Sequence, residues 1–576
     1  MMRKIAIVGA GESGVQLALG LQHHGFSTTL ISDRTPDQVR SGSVMSSQCV
    51  FSAALAAEKA LDVSSVTAAD PAADELQIAA IGINLLGQDE PLLWQAPLDF
   101  PARSVDQRLK CSLWIETFIA NGGDFRQEKV SVSRLEELAS TYDLVIVSTG
   151  KGELGQIFVP DKSKSPYDRP QRALGLTYVH GVEADAVPAV RMSIKPGVGE
   201  FFTFPGVTIS GACQMMVFEG IPGGPMDSWA QVTDPASHLE HSLKLLREHF
   251  PLEAARFERA TLTDDGAVLH GKITPIVRHA VGVLPSGREV FGLGDAIVLN
   301  DPLTGQGSNN ATLAAKYYED AIVRRADDAF DRAWMLRTFD EFWRGWAQWS
   351  VAWTNSLLKP LKEHQLQLLR AAQEHPGLAI ALANGFDDPR TLFPWWYDAS
   401  EAANFIELKS AEETSGVDIR EYRNALGQYA TGVAVVTTLA ADGTRIGITA
   451  NSFTSVSVDP PLVLWCPSNR APSLPSFESA THFAINVLAV DQHVLSRQFA
   501  TASEDKFAGV ATHEGIRGIP VIDGAVAIFE CRTVSRYKAG DHQIYVGEVQ
   551  RYEGTGGEPL VFHGGQYRST AAYPDL

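Results

Sequence analysis

The residues best suited to chemistry fall in two clusters near opposite ends of the chain. Near the N-terminus, Gly9-Ala10-Gly11-Glu12-Ser13-Gly14 has the spacing of a phosphate-cradling turn. Gly9 permits a tight turn, Gly11 lets the backbone approach a pyrophosphate, and Gly14 allows a helix to pack closely on a strand. The start of that helix presents N–H groups to an anion. Asp33 comes nineteen residues after Gly14, where an acidic side chain can accept hydrogen bonds from ribose hydroxyls, a task Ser32 can share. The motif predicts a bound dinucleotide, FAD or NAD, with Glu12, Ser13 and Arg34 as further contacts. The second cluster runs from Gly447 to Ser457 and is followed by Asp459-Pro460-Pro461. Its hydroxyls at Thr449, Ser452, Ser455 and Ser457, with Ala450 and Asn451 between them, can hold phosphate and ring through side chains and backbone N–H groups, without Lys or Arg.

The elements that must position these residues follow from the apolar pattern. Lys4 to Val8 reads as a buried parallel strand. Val15, Leu17, Ala18, Leu19 and Leu21 carry a helix to His24, which Gly25 ends. Thr28 to Ser32 is the next strand, completing a βαβ unit. Tyr142–Ser148 is a further apolar strand. Between 175 and 285, runs such as Phe201–Phe204 and Val207–Ser210 predict an antiparallel sheet. Val290–Asp295 reads as a strand and turn. From about 310 to 395 the pattern is helical, and Trp343, Trp346, Trp349 and Trp353 are spaced to share one helix face as core or domain interface. Residues 398–416 have few large apolar side chains and predict a linker. Beyond it, Val433–Thr438, Gly447–Val458, Leu462–Cys466, Phe483–Val487, Ala525–Arg532 and Gln543–Val549 are short strands of a small β-barrel.

Composition excludes several classes. A net charge of −20 argues against a nucleic-acid binder, which needs a basic face. No apolar run is long enough for a membrane span, and the first strand starts too early to leave room for a signal peptide. Five scattered cysteines predict reduced thiols in the cytoplasm, with no zinc site. His238 and His241, three apart on a predicted helix, read as a solvated face rather than a metal site.

A second N-terminal motif separates FAD from NAD. Gly292-Leu293-Gly294-Asp295, followed by Asp301-Pro302-Leu303-Thr304-Gly305-Gln306-Gly307-Ser308-Asn309-Asn310, resembles the second FAD fingerprint of flavoprotein hydroxylases of the glutathione-reductase fold. The resemblance implies that Asp295 binds the ribityl chain. It places Pro302, Gly305, Gly307, Ser308 and Asn309 beside the isoalloxazine at the start of a long helix, whose N-terminus stabilises negative charge on the flavin. One departure is informative. Single-component hydroxylases usually carry Asp-Gly after the strand that here ends in Ser148-Thr149-Gly150-Lys151, so the site is expected to receive its reduced flavin from elsewhere. Together with Arg103–Leu109, Pro170–Leu174 and Asp143–Lys151, these motifs resemble the epoxidase component of styrene and indole monooxygenases over roughly residues 1–400. That resemblance implies a substrate-covering sheet over about 171–285 between FAD-binding segments at about 1–170 and 286–330, and a helical region at about 331–397. It makes Arg108 a cofactor contact. It makes Ser46 and Ser47 candidate catalytic residues near the flavin, where relatives carry an asparagine. Oxygen transfer through a flavin C4a-hydroperoxide needs no protein nucleophile, only an apolar, water-free pocket, and Phe201, Phe202, Phe204, Val207 and Ile209 are candidates to line it.

Residues 417–576 resemble short-chain flavin reductases of split-barrel fold. The likeness is carried by Ala430-Thr431-Gly432-Val433, the Gly447–Ser457 stretch, Gly540-Asp541-His542 and Tyr545-Val546-Gly547-Glu548. It places Gly540, Asp541 and His542 near the nicotinamide, with His542 orienting it for hydride transfer. Lys506 and Phe507 resemble the lid of that family. The implied whole is an α/β FAD-binding epoxidase fused to a β-barrel reductase. It would use NADH, FAD, O2 and a styrene- or indole-like alkene, and would dimerise through the reductase domain. Two alternatives stay open: a reductase releasing mainly hydrogen peroxide, and a flavin-binding redox sensor.

Overall fold

The computed structural model describes residues 3–61, 76–87, 92–150, 152–325, 327–414, 419–440, 442–469, 471–501 and 505–571; Lys151 and the linker residues 415–416 lie outside the described residues. The chain divides into a unit ending at Glu413 and a second beginning at Thr414.

The first unit is built on a six-stranded sheet. Lys4–Val8 lies in the middle, parallel to Ser27–Ser32 on one side and Leu144–Val147 on the other. Asp124–Gln127 and Glu289–Gly292 extend the parallel set, and Val281–Val283 closes one edge antiparallel. Ile5, Ile7, Leu30, Leu144 and Ile146 are buried at its centre, as continuous apolar strands between helices should be. The helix Glu12–His23 covers the sheet and ends before Gly25, whose φ of 78° is the left-handed conformation that glycine supplies.

The second sheet has eight strands and is larger than the sequence pattern predicts. Gln77–Leu85 and Leu92–Arg103, assigned from sequence to the FAD-binding segment, pair into it: Gln77–Leu85 runs parallel to Ala189–Lys195. The runs read as separate strands at 201–204 and 207–210 are one strand, Gly199–Thr208. Alternation then sends its residues to opposite faces. Phe202 and Phe204 join a core with Trp94, Met215, Trp353 and Phe386. Phe201 faces the other way, against Phe218, Phe250 and Phe257, and Ile209 is exposed. Phe201, Val207, which shares its face by alternation, and Ile209 are therefore corrected as pocket-lining residues. On that second face His238 is fully buried and stacks on Trp229 at 4.7 Å, while His241 contacts Ser228 at 2.9 Å, so the solvated reading of this pair is also corrected.

The tryptophan stripe does not form one face. A π-helical turn, Trp343–Ala347, separates the helices Arg332–Phe342 and Gln348–Leu357 and shifts the angular phase. Trp346 enters the core of the six-stranded sheet, Trp353 enters that of the second sheet, and Trp349 packs against Phe393. The expected linker is largely a helix, Ala399–Thr414, because its Ala and Glu content favours helix over coil.

Buried Arg108 ties the loop after the second strand to the second sheet. Its Nε donates to Asp106 at 2.9 Å, Nη1 to Asp264 at 2.8 Å and to the Gly42 carbonyl at 3.1 Å, and Nη2 to Asp264 at 2.9 Å and to Thr208 at 3.2 Å. All its donors are spent on the protein, which corrects Arg108 from a cofactor ligand to a clamp.

In the second unit seven antiparallel strands run in the order Arg445–Ala450, Ala434–Leu439, His482–Val487, Ala527–Ala539, His542–Gly554, Pro461–Trp465, Thr454–Val458. The first and last are edges that do not pair, yet only Asn451–Phe453 separate them in sequence. The sheet therefore curls back on itself with an open seam, a split barrel around Val436, Trp465, Phe483, Ile485 and Tyr545.

Replacing Arg108 by Met should leave Asp106 and Asp264 without their buried cation. The expected loss is about 3–5 kcal/mol in denaturant unfolding of the full chain. A loss within about 0.5 kcal/mol would mean that the clamp is not structural.

Candidate functional site

The first site forms where the parallel strands end. Val8, Ser32, Val147 and Gly292 all deliver their chains to one edge, the usual ligand crevice of such sheets. The glycines differ in what holds them. A Cβ on Gly14 would lie 2.0 Å from the Gly9 carbonyl oxygen, and one on Gly9, whose φ is 112°, would lie 2.6 Å from Ser148 Oγ. These two keep helix, turn and strand together. A Cβ on Gly11 would meet nothing within 4 Å, and neither would one on Gly307. Their openness leaves room for a ligand to approach the backbone. No side chain caps the helix at Gly11, so its first N–H groups are left for a phosphate. These features fit the pyrophosphate of a dinucleotide.

The side chains sort into those available and those already used. Asp33 is exposed at the end of its strand with Arg34 Nε 3.8 Å away; Ser32 Oγ accepts the Arg34 N–H at 3.2 Å. Arg34 Nη2 reaches Met45 Sδ at 3.2 Å and so braces the loop bearing Ser46 and Ser47. The Glu12 carboxylate is turned inward, bound by Lys110 and, at 3.1 Å, by Gln107, so only the backbone of Glu12 remains for a cofactor. Ser148 Oγ donates to the Gly9 carbonyl at 2.8 Å and locks the turn.

The two fingerprints meet in space. A Cβ on Gly294, where φ is 60°, would lie 2.4 Å from Ser13 Oγ, and one on Gly150 would lie 2.6 Å from the Asp295 carbonyl oxygen. Asp295 is exposed at this junction, with Arg278 donating to its carbonyl at 3.2 Å. Asp301-Pro302-Leu303-Thr304 makes one 3-10 turn, Gly305 takes the left-handed φ of 68°, and the helix Gln306–Arg325 begins. Ser308 is buried in its first turn. Asn309 does not face outward: its amide donates to the carbonyls of Cys49 and Gly305, both at 2.9 Å, and accepts from the Phe51 N–H at 2.8 Å. It fixes the 46–51 loop to the helix start. Within that loop Ser46 Oγ donates to the Ser47 carbonyl at 2.9 Å, and the Ser46 carbonyl accepts from Tyr178 at 2.9 Å. Tyr178 is a positioning residue that no sequence motif marks.

Next to this loop, Leu303 shares its core with Trp353, Phe386 and Met192. These last three help line a small cavity of about 20 Å³ whose walls hold no titratable group.

In the second unit the Asn451–Phe453 loop bridges the barrel seam. Ser452 Oγ accepts the Cys466 N–H at 2.9 Å, and Thr449 Oγ1 donates to the Ser496 carbonyl at 2.6 Å, so both hydroxyls shape the loop. Asn451 and Ser455 are exposed, Ala450 and Ser457 half-buried. Gly540 and Asp541 form a two-residue hairpin turn, Gly540 with φ of 62°. Asp541 Oδ1 lies 2.8 Å from His542 Nδ1. A carboxylate only accepts, so Nδ1 carries the proton and a neutral His542 keeps Nε2 as an acceptor. Segment 466–469 links both halves of the site: Cys466 holds Ser452, and Asn469 donates from its amide to the Gly540 carbonyl at 3.0 Å and from its backbone to the Asp541 carbonyl at 2.9 Å. The sequence reading stops at Cys466 and misses this bracket. Lys506 Nζ donates to the Phe499 carbonyl at 2.8 Å and Phe507 is buried edge-on to Phe499, which makes this segment part of the packed core.

Among the described residues, no group of three or more His, Cys, Asp or Glu is placed to hold a metal ion, and no helix is long and apolar enough to cross a membrane.

Comparison with known proteins agrees with this division. Residues 150–256 match the model for "Styrene monooxygenase A putative substrate binding domain", and residues 426–571 match "Flavin reductase like domain". Styrene monooxygenase StyA of Pseudomonas fluorescens is 30% identical over 406 residues, covering 68% of this chain and 94% of that protein. FMN reductase (NADH) SmoA of Agrobacterium fabrum is 49% identical over 152 residues, covering 26% of this chain and 86% of that protein. The solved styrene monooxygenase flavin reductase (SMOB) of Pseudomonas putida S12 is 29% identical, with 26% of this chain and 99% of that chain covered and a TM-score of 0.25. With two glycine-cradled ends of one parallel sheet in its first unit and a split barrel in its second, the chain belongs to the styrene monooxygenase family and carries a flavin reductase domain in the same polypeptide.

Proposed function

We propose that the chain is a self-sufficient flavoprotein monooxygenase. The C-terminal domain reduces FAD with NADH, and the N-terminal domain uses the reduced FAD and O2 to epoxidise a styrene- or indole-like alkene. The observation that carries this reading is the pairing of an open Gly11/Gly307 cradle and a cavity without titratable walls in one unit with the Asp541–His542 turn in the other.

Each domain's residues have a definable task. Bound reduced FAD supplies the electrons that activate O2. Gly11 and the first turn of the helix Glu12–His23 hold its pyrophosphate, and Asp33 and Asp295 bind its ribose and ribityl hydroxyls. Pro302 to Ser308 seat the ring beside the helix start, where the dipole favours negative charge. The core around Trp353 and Phe386 keeps water from the reacting face and positions the alkene, opening beyond the 20 Å³ now free to admit it. Ser46, whose carbonyl is held by Tyr178, and Ser47 border the ring. In the barrel, Thr449 to Ser457 cradle the flavin, and Asp541 fixes the tautomer of His542, which orients the nicotinamide. Val458, Tyr537 and Tyr552 are exposed on the barrel at 93%, 58% and 77%. Apolar exposure of this kind supports a homodimer formed through the reductase domain, and the free thiols support a cytoplasmic enzyme.

Replacing His542 by Ala should slow NADH oxidation about 10²-fold while leaving epoxidation intact when chemically reduced FAD is supplied, with styrene oxide and hydrogen peroxide both quantified. Equal loss of both activities would refute separate sites, and peroxide without epoxide in the unaltered protein would leave only the reductase reading.

Gly11→Ala should fold with unchanged melting behaviour, since its Cβ meets open space. FAD affinity of the N-terminal site should fall at least tenfold, because the methyl occupies the ligand's approach. Gly14→Ala should instead destabilise the fold through its contact with Gly9. Equal behaviour of the two variants in thermal melts and flavin titrations would contradict the cradle.

A further inference from the structure

A buried carboxyl pair lies between the second sheet and the loop that opens the helix Gln306–Arg325. Strand Gly211–Gly220 turns Met215 and Val217 into the core shared with the cavity, and the two-residue period sends Glu219 to the same face. Glu200 on the adjacent strand stands in register with Glu219, and Arg172 precedes the strand on the other side. Arg172 is spent: Nε and Nη2 donate to Glu200 at 2.7 and 2.9 Å, and Nη1 donates to the Gln171 carbonyl at 2.9 Å.

Glu219 and Asp301 are both fully buried. Among the described residues, neither oxygen of Glu219 meets a donor from another group, and neither does Asp301 Oδ2. Among the described residues, Asp301 Oδ1 accepts from one backbone group, the Leu303 N–H, at 3.3 Å. The two carboxyls face each other within hydrogen-bond reach. Two carboxylates in such contact cannot both be ionised in a dry site, so one proton lies between them. Burial and the neighbouring Asp301 push Glu219 well above the usual carboxylate range, and burial raises Asp301 as well. The other charged or titratable groups facing the pair are Arg172, Glu200 and the Tyr167 phenol.

We propose that Glu219 and Asp301 form a one-proton latch that positions the Asp301–Gly305 loop against the substrate sheet. With the proton in place Glu219 donates to Asp301 and the sheet holds the loop. Without it, two adjacent anions push the loop away. This rests on the reading that the loop borders the flavin ring, and both residues act on the cofactor only through that loop.

The test uses the full chain and Glu219→Gln, whose amide still donates to Asp301 but holds no titratable proton. Stability held by a raised carboxyl is fully present below its unfolded value of 4.5 and is lost as pH rises through the folded one. Within that window the unfolding constant of the flavin-free unaltered protein should rise about tenfold per pH unit more steeply than that of the variant. FAD affinity should fall with pH in the unaltered protein and stay level in the variant. Equal unfolding slopes overturn the latch. Different slopes with identical FAD profiles overturn its link to the flavin loop while leaving the shared proton in place. Should Glu219→Gln fail to fold, the infrared spectrum of the unaltered protein decides: a buried carboxylic-acid carbonyl band persisting at neutral pH supports the pair, and its absence overturns it.

Discussion

The contact between Gly14 and the carbonyl of Gly9 is the constraint on which the first unit depends. A side chain at position 14 would sit 2.0 Å from that oxygen, so the helix Glu12–His23 can rest against the turn only because nothing is there. That closeness aims the helix N-terminus across the ends of the parallel strands. Ser148 secures the same turn from the neighbouring strand, and Gly294 brings the second fingerprint up to Ser13. Sites that gather phosphate, ribityl chain and ring from segments nearly 300 residues apart need a sheet whose strand ends converge in this way.

The chemistry proposed for this unit asks little of its side chains. Polar groups near the ring segment are mostly committed to the protein: Asn309 to the 46–51 loop, Arg108 to Asp106 and Asp264, Glu12 to Lys110. On the proposed reading, what remains for the ring is mainly backbone, glycine and apolar surface, while Asp33 and Asp295 stand exposed for the hydroxyls of the ribose and ribityl chain. The second unit is arranged differently, with a hydroxyl-rich loop across a barrel seam and an exposed imidazole oriented by its neighbouring carboxylate.

Elements governed by local rules were legible in the sequence. The βαβ unit, the two FAD fingerprints, most barrel strands and the Gly-Asp-His turn each announce themselves through glycine spacing or strand periodicity, whereas Gly447–Val458, read as one strand, is two, Arg445–Ala450 and Thr454–Val458, on opposite edges of the sheet. What depended on long-range pairing was not. The strands 77–85 and 92–103 join a sheet whose other members begin at residue 173, and no local pattern reveals that partner. The π-helical turn at Trp343–Ala347 breaks a spacing that otherwise predicts one face. Tyr178, Glu219 and Asn469 carry weight only through what they meet in space, and Phe201 lies on the face opposite Phe202 and Phe204 because side chains alternate along one uninterrupted strand.

On the proposed function, two electrons from NADH enter at the barrel and, with two protons, reduce one atom of O2 to water in the first unit, while the other atom is delivered to the alkene. Tracing ¹⁸O2 tests this delivery most directly, with the full chain supplied with NADH, FAD and styrene and the product analysed by mass spectrometry. The account predicts styrene oxide bearing one ¹⁸O, formed only when NADH is present. NADH consumption with the label confined to hydrogen peroxide would contradict it.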